Sequence, residues 1–147
     1  MKKLIAIVAG EPNSINSEII VKAWKKLKDK KNIFIIGNYS LFKKQIKKIG
    51  LKIPLEKINS IINFKNQKTL KVLNIPLKYN SIFEVNFFEN KKYVIKCLEI
   101  AHNLATNKKI KGFINAPIDK KIFEKKYLGV TEYLASKNKI KSKEVMM

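Results

Sequence analysis

The chain is poor in the residues that build disulfides, metal sites and specific nucleic-acid contacts. Its 147 residues include one cysteine, one histidine and no arginine. Cys97 alone cannot form an internal disulfide, so nothing indicates an oxidising compartment. His102 alone supplies no cluster with metal-ligand spacing. Because no apolar run reaches the length of a membrane span, we expect a cytoplasmic protein without a membrane partner.

The formal net charge of +21 makes nucleic-acid binding an alternative to consider. All 32 basic residues are lysine, whereas bidentate contacts to bases and phosphates favour arginine. The lysines are spread along the chain among many Ile and Asn residues, a pattern typical of AT-rich codon usage. We therefore expect solvated lysine faces and no nucleic-acid partner, with a long-range attraction for anionic substrates.

Strand-like and helix-like segments alternate, which predicts an α/β layered domain with a largely parallel sheet. Helices are expected from Ser17, whose side chain would cap the first, from Asn90 and from near Ile118. Residues 141–147 resemble the start of another strand, so we expect a truncated chain. The candidate strands cover residues 4–9, 32–37, 58–64, 70–73 and 112–115.

Three polar loops follow strand-like segments, and open α/β sheets bind ligands at such carboxyl ends. The first, residues 10–18, leaves backbone N–H groups at a helix start, where an anion can bind. An ordinary capped turn has the same pattern. The loop has neither a dinucleotide fingerprint nor a P-loop. Gly10, Glu11 and Pro12 are its candidate ligand contacts.

The other two loops each contain one residue suited to binding an anion or a substrate oxygen. In residues 115–120, Lys120 beside a strand end could hold a phosphate or carboxylate. Asp119 would favour the dipole of the following helix. In residues 129–134, the Thr131 hydroxyl would either cap a helix or bind a substrate oxygen, and spacing alone favours the cap.

Taken together, these segments resemble the 4-hydroxythreonine-4-phosphate dehydrogenase family of pyridoxal phosphate (vitamin B6) biosynthesis, over its N-terminal half. The family loop Gly-(Asp/Glu)-Pro-Ala-Gly-Ile-Gly-Pro-Glu is matched by Gly10, Glu11, Pro12, Ile15 and Glu18. The family's Glu-Asn pair is matched by Glu89 and Asn90. Its Thr-(Ala/Gly)-Pro-(Ile/Val)-(Asn/His)-Lys segment is matched by Ala116, Pro117, Ile118 and Lys120. Its Gly-His-Thr-Glu-(Phe/Tyr) segment is matched by Gly129, Thr131, Glu132 and Tyr133.

Two departures from the family pattern bear on ligand binding. Asn13, Ser14, Asn16 and Ser17 replace the Ala, Gly, Gly and Pro of the first loop. The loss of glycine would either obstruct a ligand or reshape the turn. Val130 stands where the family has a substrate-binding histidine, so that contact is not carried over. Thr131 remains the leading candidate.

The resemblance implies an α/β/α fold of the isocitrate/isopropylmalate dehydrogenase group and a homodimer. It also implies NAD-dependent oxidation of 4-phosphooxy-L-threonine, followed by decarboxylation, with a divalent metal (Zn, Mg or Co) polarising the oxygen. The family's metal histidines and most of its NAD site lie beyond residue 147. This chain would therefore bind the phosphorylated substrate through Thr131 and Lys120, contain no metal ligand and be inactive alone. The alternative, favoured by Val130 and the early end, is a non-catalytic remnant that binds a phosphate ligand or a partner.

Overall fold

The computed structural model describes residues 4–62, 64 and 68–138. Its contacts divide the chain into two units, Met1–Pro117 and Ile118–Met147. In the described part of the first unit, the strands form one parallel sheet in the order β3-β4-β2-β1-β5. The strands are β1 (Ile5–Val8), β2 (Ile33–Gly37), β3 (Leu55–Ile58), β4 (Leu70–Asn74) and β5 (Gly112–Asn115). The helices of this unit are α1 (Asn16–Lys26), α2 (Tyr39–Lys48) and α3 (Phe87–Thr106).

The helices cover both faces of this sheet. From β1 the chain runs through α1 to β2 and through α2 towards β3 and β4, then returns through α3 to β5 on the other side of β1. Right-handed crossovers in opposite directions place α1 and α2 on one face and α3 on the other. Trp24 and Ile46 accordingly pack in one core cluster with Val72 of the sheet, while α3 buries Val94 and Leu98. The predicted α/β/α layering with a parallel sheet is confirmed.

Four of the five predicted strands are confirmed, and the prediction for residues 58–64 is wrong. The strand in this region is β3, which ends at Ile58 and pairs with β4 from Leu55↔Leu70 onwards. Its pairing places Glu56 opposite Lys71, where the two charges meet. The apolar run that suggested a strand instead leaves Ile62 87% exposed. The strand expected at residues 141–147 lies outside the described residues.

Two helices of the first unit begin earlier than predicted. Ser17 is not a cap, because α1 begins at Asn16 and Ser17 is a buried residue of its first turn. Asn90 does not open α3 either. Asn86 caps that helix by accepting a hydrogen bond from the Glu89 N–H at 3.0 Å. No helix in the described ranges is long and apolar enough to cross a membrane.

The second unit contains one turn of 3-10 helix, Lys120–Phe123, and the helix α4, Val130–Lys137. The helix expected near Ile118 is this single turn, which Asp119 caps by accepting a hydrogen bond from the Lys121 N–H at 2.9 Å. Three aromatic rings hold the unit together at centroid distances of 5.4, 5.5 and 6.3 Å. They belong to Phe123, Tyr127 and Tyr133.

A buried lysine in β4 makes the stability of the sheet sensitive to acid. The Lys71 side chain is 5% exposed, and its Nζ lies 2.6 Å from Glu56 Oε2. Hydrogen bonding from Lys71 is the main cause that lowers the pKa of Glu56 below its ordinary value of 4.5. Thr69 donates to the same oxygen at 3.2 Å. A carboxylate with a lowered pKa stabilises the fold above its unfolded-state pKa, and this stability is lost as pH falls through the folded-state pKa.

We therefore expect Glu56→Gln to lower the free energy of unfolding at neutral pH by about 1 kcal/mol, a small value because Glu56 is 39% exposed. The difference in the free energy of unfolding between this variant and the parent chain should shrink as the pH is lowered from about 6 to about 3. Urea unfolding at several pH values measures the loss of stability at neutral pH and its dependence on pH. Glu84→Gln, at an exposed site, is the matched control and should leave the pH profile unchanged. If Glu56→Gln lowered the stability by the same amount at every pH, the ion pair of Glu56 with Lys71 would not be the cause of the acid sensitivity.

Cys97 lies on the buried face of α3 and is 1% exposed. Burial raises the pKa of its thiol to about 12, and the thiolate is the reactive form. We expect a disulfide reagent such as DTNB to modify Cys97 only as fast as the fold opens. Cys97→Ala with Lys96→Cys, which moves the thiol to an exposed position on the same helix, should react at once. Rapid labelling of native Cys97 would show that the helix does not protect it.

Candidate functional site

The ends of β1 and β5 flank the point at which the strand order reverses, where open α/β sheets commonly bind ligands. Here protein groups join the two loops directly. The Glu11 N–H donates to the Pro117 carbonyl at 3.1 Å, and Asn16 Nδ2 donates to the same oxygen at 2.7 Å. Asn16 Nδ2 also donates to the Ala9 carbonyl at 3.2 Å. The first loop is thus fixed to the end of β5.

Gly10 is required by this close approach. Its φ is +73°, a conformation that favours glycine, and a Cβ there would lie 2.7 Å from both Asn16 Nδ2 and the Pro117 oxygen. The neighbouring candidate residues, Glu11 and Pro12, also make hydrogen bonds within the protein. Glu11 Oε1 accepts a hydrogen bond from Asn90 Nδ2, and the Pro12 carbonyl accepts one from Gln45 Nε2 at 2.7 Å. The structure therefore brings Gly10, Glu11 and Pro12 together as a braced loop.

A small cavity of about 20 Å³ lies behind this loop, at the ends of β1 and β2. Tyr93 of α3 closes part of it, and the Tyr93 hydroxyl accepts a hydrogen bond from the Asn38 N–H at 2.8 Å. Burial is the main cause that raises the pKa of Tyr93 well above its ordinary value of 10.0, so the phenol is neutral. The cavity is much too small for a nucleotide or a phosphate ester.

The second unit holds the other two predicted site residues, Thr131 and Lys120. The cap favoured for Thr131 is wrong, because α4 begins at Val130 and Gly129 occupies the cap position. Thr131 is the second residue of α4 and partly exposed, and its hydroxyl has no hydrogen-bond partner among the described residues. Lys120 begins the 3-10 turn and is exposed. Both side chains can therefore meet a ligand.

The described residues do not fit a divalent metal. They contain no group of three His, Cys, Asp or Glu side chains placed to hold one. His102 is partly buried on α3, away from any such group in the described ranges. No catalytic step through a metal is therefore assigned to these residues.

Sequence patterns missed the buried polar residues that brace the first loop. Asn90 was taken only as a helix start, yet its side chain binds Glu11 across 79 residues of sequence. Tyr93 belongs to the same helix and reaches the end of β2. Spacing along α3 groups Asn90, Tyr93 and Val94 on one face, but it does not indicate which loop that face meets.

Comparison with known proteins identifies the family. Residues 29–147 match the family model described as pyridoxal phosphate biosynthetic protein PdxA. The chain belongs to the PdxA family. It is 30% identical over 149 residues to a 4-hydroxythreonine-4-phosphate dehydrogenase of Hydrogenobaculum sp. (strain Y04AAS1), covering 99% of this chain and 46% of that protein. The enzyme of the same name from Sulfurihydrogenibium sp. (strain YO3AOP1) is 34% identical over 136 residues, or 89% and 41% of the two chains.

Solved PdxA structures agree on the fold. The crystal structure of a 4-hydroxythreonine-4-phosphate dehydrogenase from Burkholderia phymatum superposes with a TM-score of 0.77 at 18% identity. The match covers 97% of this chain and 45% of that one. The chain thus spans about half the length of the PdxA proteins it matches.

Two of the polar residues that depart from the PdxA loop pattern, Asn13 and Ser14, make hydrogen bonds that hold the first loop in place. The Asn13 side chain exchanges two hydrogen bonds of 2.7 Å with the backbone of Val85. Ser14 Oγ donates to the Glu11 carbonyl at 2.5 Å and accepts from the Asn16 N–H at 3.1 Å. These side chains supply fixed contacts that glycine and alanine cannot make.

Proposed function

We propose that this PdxA chain is the substrate-binding, N-terminal part of an enzyme that oxidises and decarboxylates 4-phosphooxy-L-threonine with NAD. The family match over residues 29–147 is the observation that carries the proposal. The reaction belongs to pyridoxal phosphate biosynthesis, the process that the family description names. In the whole enzyme, a homodimer, the NAD and a divalent metal would bind mainly to residues outside this chain. The chain by itself would be inactive.

Thr131 and Lys120 are the residues we assign to the substrate. The Thr131 hydroxyl lies in the first turn of an eight-residue helix, where free N–H groups favour an anion. It makes no internal hydrogen bond in the described structure, so it can donate to a phosphate oxygen without breaking an existing contact. Lys120 would supply a mobile positive charge to the same class of ligand.

The assignment of Thr131 and Lys120 to the substrate is tested by measuring the binding of O-phospho-L-threonine to the chain by NMR titration. Thr131→Ala and Lys120→Ala should each weaken binding about tenfold, because each removes a hydrogen bond to a charged group. Lys121→Ala removes an equal charge from the same 3-10 turn and is the control for general electrostatic attraction. Thr106→Ala controls for loss of a hydroxyl, since Thr106 Oγ1 donates within α3 to the His102 carbonyl at 2.9 Å.

If Lys120→Ala and Lys121→Ala lowered the affinity equally, Lys120 would contribute only its charge and no specific contact. Unchanged binding by Thr131→Ala would remove Thr131 from the site. Both results together would favour the second candidate, a remnant of the family without catalysis. Val130 is the observation that favours this candidate, because valine cannot make the hydrogen bond expected of the family's histidine.

The gene downstream of the Met147 codon separates the two candidates. A following segment with a Thr-His-Leu-Pro-like strand and further histidines would support the enzyme, since those residues would provide the metal ligands. A stop codon directly after Met147 would support the remnant.

A further inference from the structure

The small cavity behind the first loop is walled by polar groups from three helices. Ser17 of α1, Gln45 of α2 and Tyr93 of α3 line it together with Glu11 of the loop. Leu41 and Phe42 complete the wall on the α2 side. The cavity therefore lies where the three helices and the end of the sheet meet.

The Ser17 hydroxyl has an unmet hydrogen-bonding capacity. Ser17 is 4% exposed, and its Oγ is buried without a hydrogen-bond partner among the described residues. A buried hydroxyl without a hydrogen bond is destabilising, so such groups are rare unless a water or a ligand reaches them. The other groups of the wall have partners that hold them in place, such as the Gln45 bonds to the Pro12 and Ile82 carbonyls at 2.7 and 2.6 Å.

We propose that this cavity binds one internal water molecule, hydrogen-bonded to Ser17 Oγ. The water would link the first turn of α1 to the polar groups of the loop, α2 and α3. It would thereby help to fix the loop that joins β1 to the end of β5. The proposal stands independently of the substrate assignment, because it concerns only residues of the first unit.

The size of the cavity selects this ligand. A volume of about 20 Å³ exceeds the 10–15 Å³ or so that one water needs and excludes a phosphate or any organic group. An internal water also needs two to four polar partners, and a wall with a hydroxyl, a carboxylate, an amide and a phenol can supply them. A monovalent cation, which Glu11 would attract, is the competing occupant.

Deuteron magnetic relaxation dispersion counts internal waters with long residence times and tests the proposal on the whole chain. Ser17→Val removes the hydroxyl and fills the volume, so the variant should lose the signal of one long-lived water. Ser40→Val is the matched control, because Ser40 is exposed and its Oγ pairs with the Tyr79 hydroxyl at 3.1 Å. Its dispersion should equal that of the parent chain.

An unchanged dispersion amplitude in a folded Ser17→Val chain would overturn the proposal. If that variant does not fold, a high-resolution crystal structure of the parent chain decides instead. Density for one water within hydrogen-bond distance of Ser17 Oγ would support the proposal. A dry cavity, or a site whose occupancy follows the potassium concentration, would contradict it.

Discussion

Gly10→Ala is expected to lower the free energy of unfolding by about 3 kcal/mol, as the sum of backbone strain and collision. The φ of +73° disfavours alanine, and the new methyl group would lie 2.7 Å from Asn16 Nδ2 and from the Pro117 oxygen. Neither neighbour can retreat easily. Asn16 is bound to the Pro117 carbonyl at 2.7 Å, and the Pro117 oxygen is backbone that also accepts from Glu11. Urea unfolding monitored by circular dichroism measures the loss.

Gly50→Ala separates the two causes. Gly50 has nearly the same φ, +74°, but a Cβ there would meet nothing within 4 Å. Its replacement should therefore cost only the backbone strain, about 1 kcal/mol. If the two variants lose equal stability, the first loop does not contact Pro117 closely. The claim that this contact fixes the first loop would then be contradicted.

Val130→His is expected to tighten the binding of O-phospho-L-threonine about tenfold at mildly acidic pH. Val130 is the first residue of α4, next to Thr131, and stands where the family pattern has a histidine. An imidazolium there would donate to the phosphate, whereas valine cannot. The gain should be present below the ordinary histidine pKa of about 6.5, raised somewhat by the bound anion, and should fade as the pH rises above it. NMR titration at several pH values measures this dependence.

Val130→Leu is the control for a change in size without a donor, and it should bind the phosphate ester no better than the parent chain. A gain that is equal for histidine and leucine, or independent of pH, would show that residue 130 does not face the phosphate. The role proposed for the start of α4 would then be lost.

The layered fold was predictable because its signals are local and strong. Continuous apolar runs such as residues 33–36 mark strands covered on both faces, and Gly112–Asn115 was predicted at its observed bounds. The error at β3 has a physical cause. Leu55 to Ile58 contains two charged residues, so its sequence does not suggest a buried strand. Its pairing with β4, where Glu56 meets Lys71, stabilises it.

The candidate site was less predictable, because hydrogen bonds between distant residues build it. The loop residues were recognised from their resemblance to the family, but the bond from Asn90 to Glu11 joins segments whose proximity depends on the complete sheet. The predictions of helix caps at Ser17 and Thr131 were wrong for a related reason. Ser17 and Thr131 have the right side chains for capping, yet the helices begin one residue before each of them.

Formation of NADH from 4-phosphooxy-L-threonine tests the central claim most directly. Three samples are compared: this chain alone, the C-terminal half of the Hydrogenobaculum relative alone, and the two halves joined in one polypeptide. We predict NADH only from the joined protein, with a lower rate after Thr131→Ala. Turnover by the 147-residue chain alone would contradict the claim that it is the incomplete, substrate-binding part of a dehydrogenase.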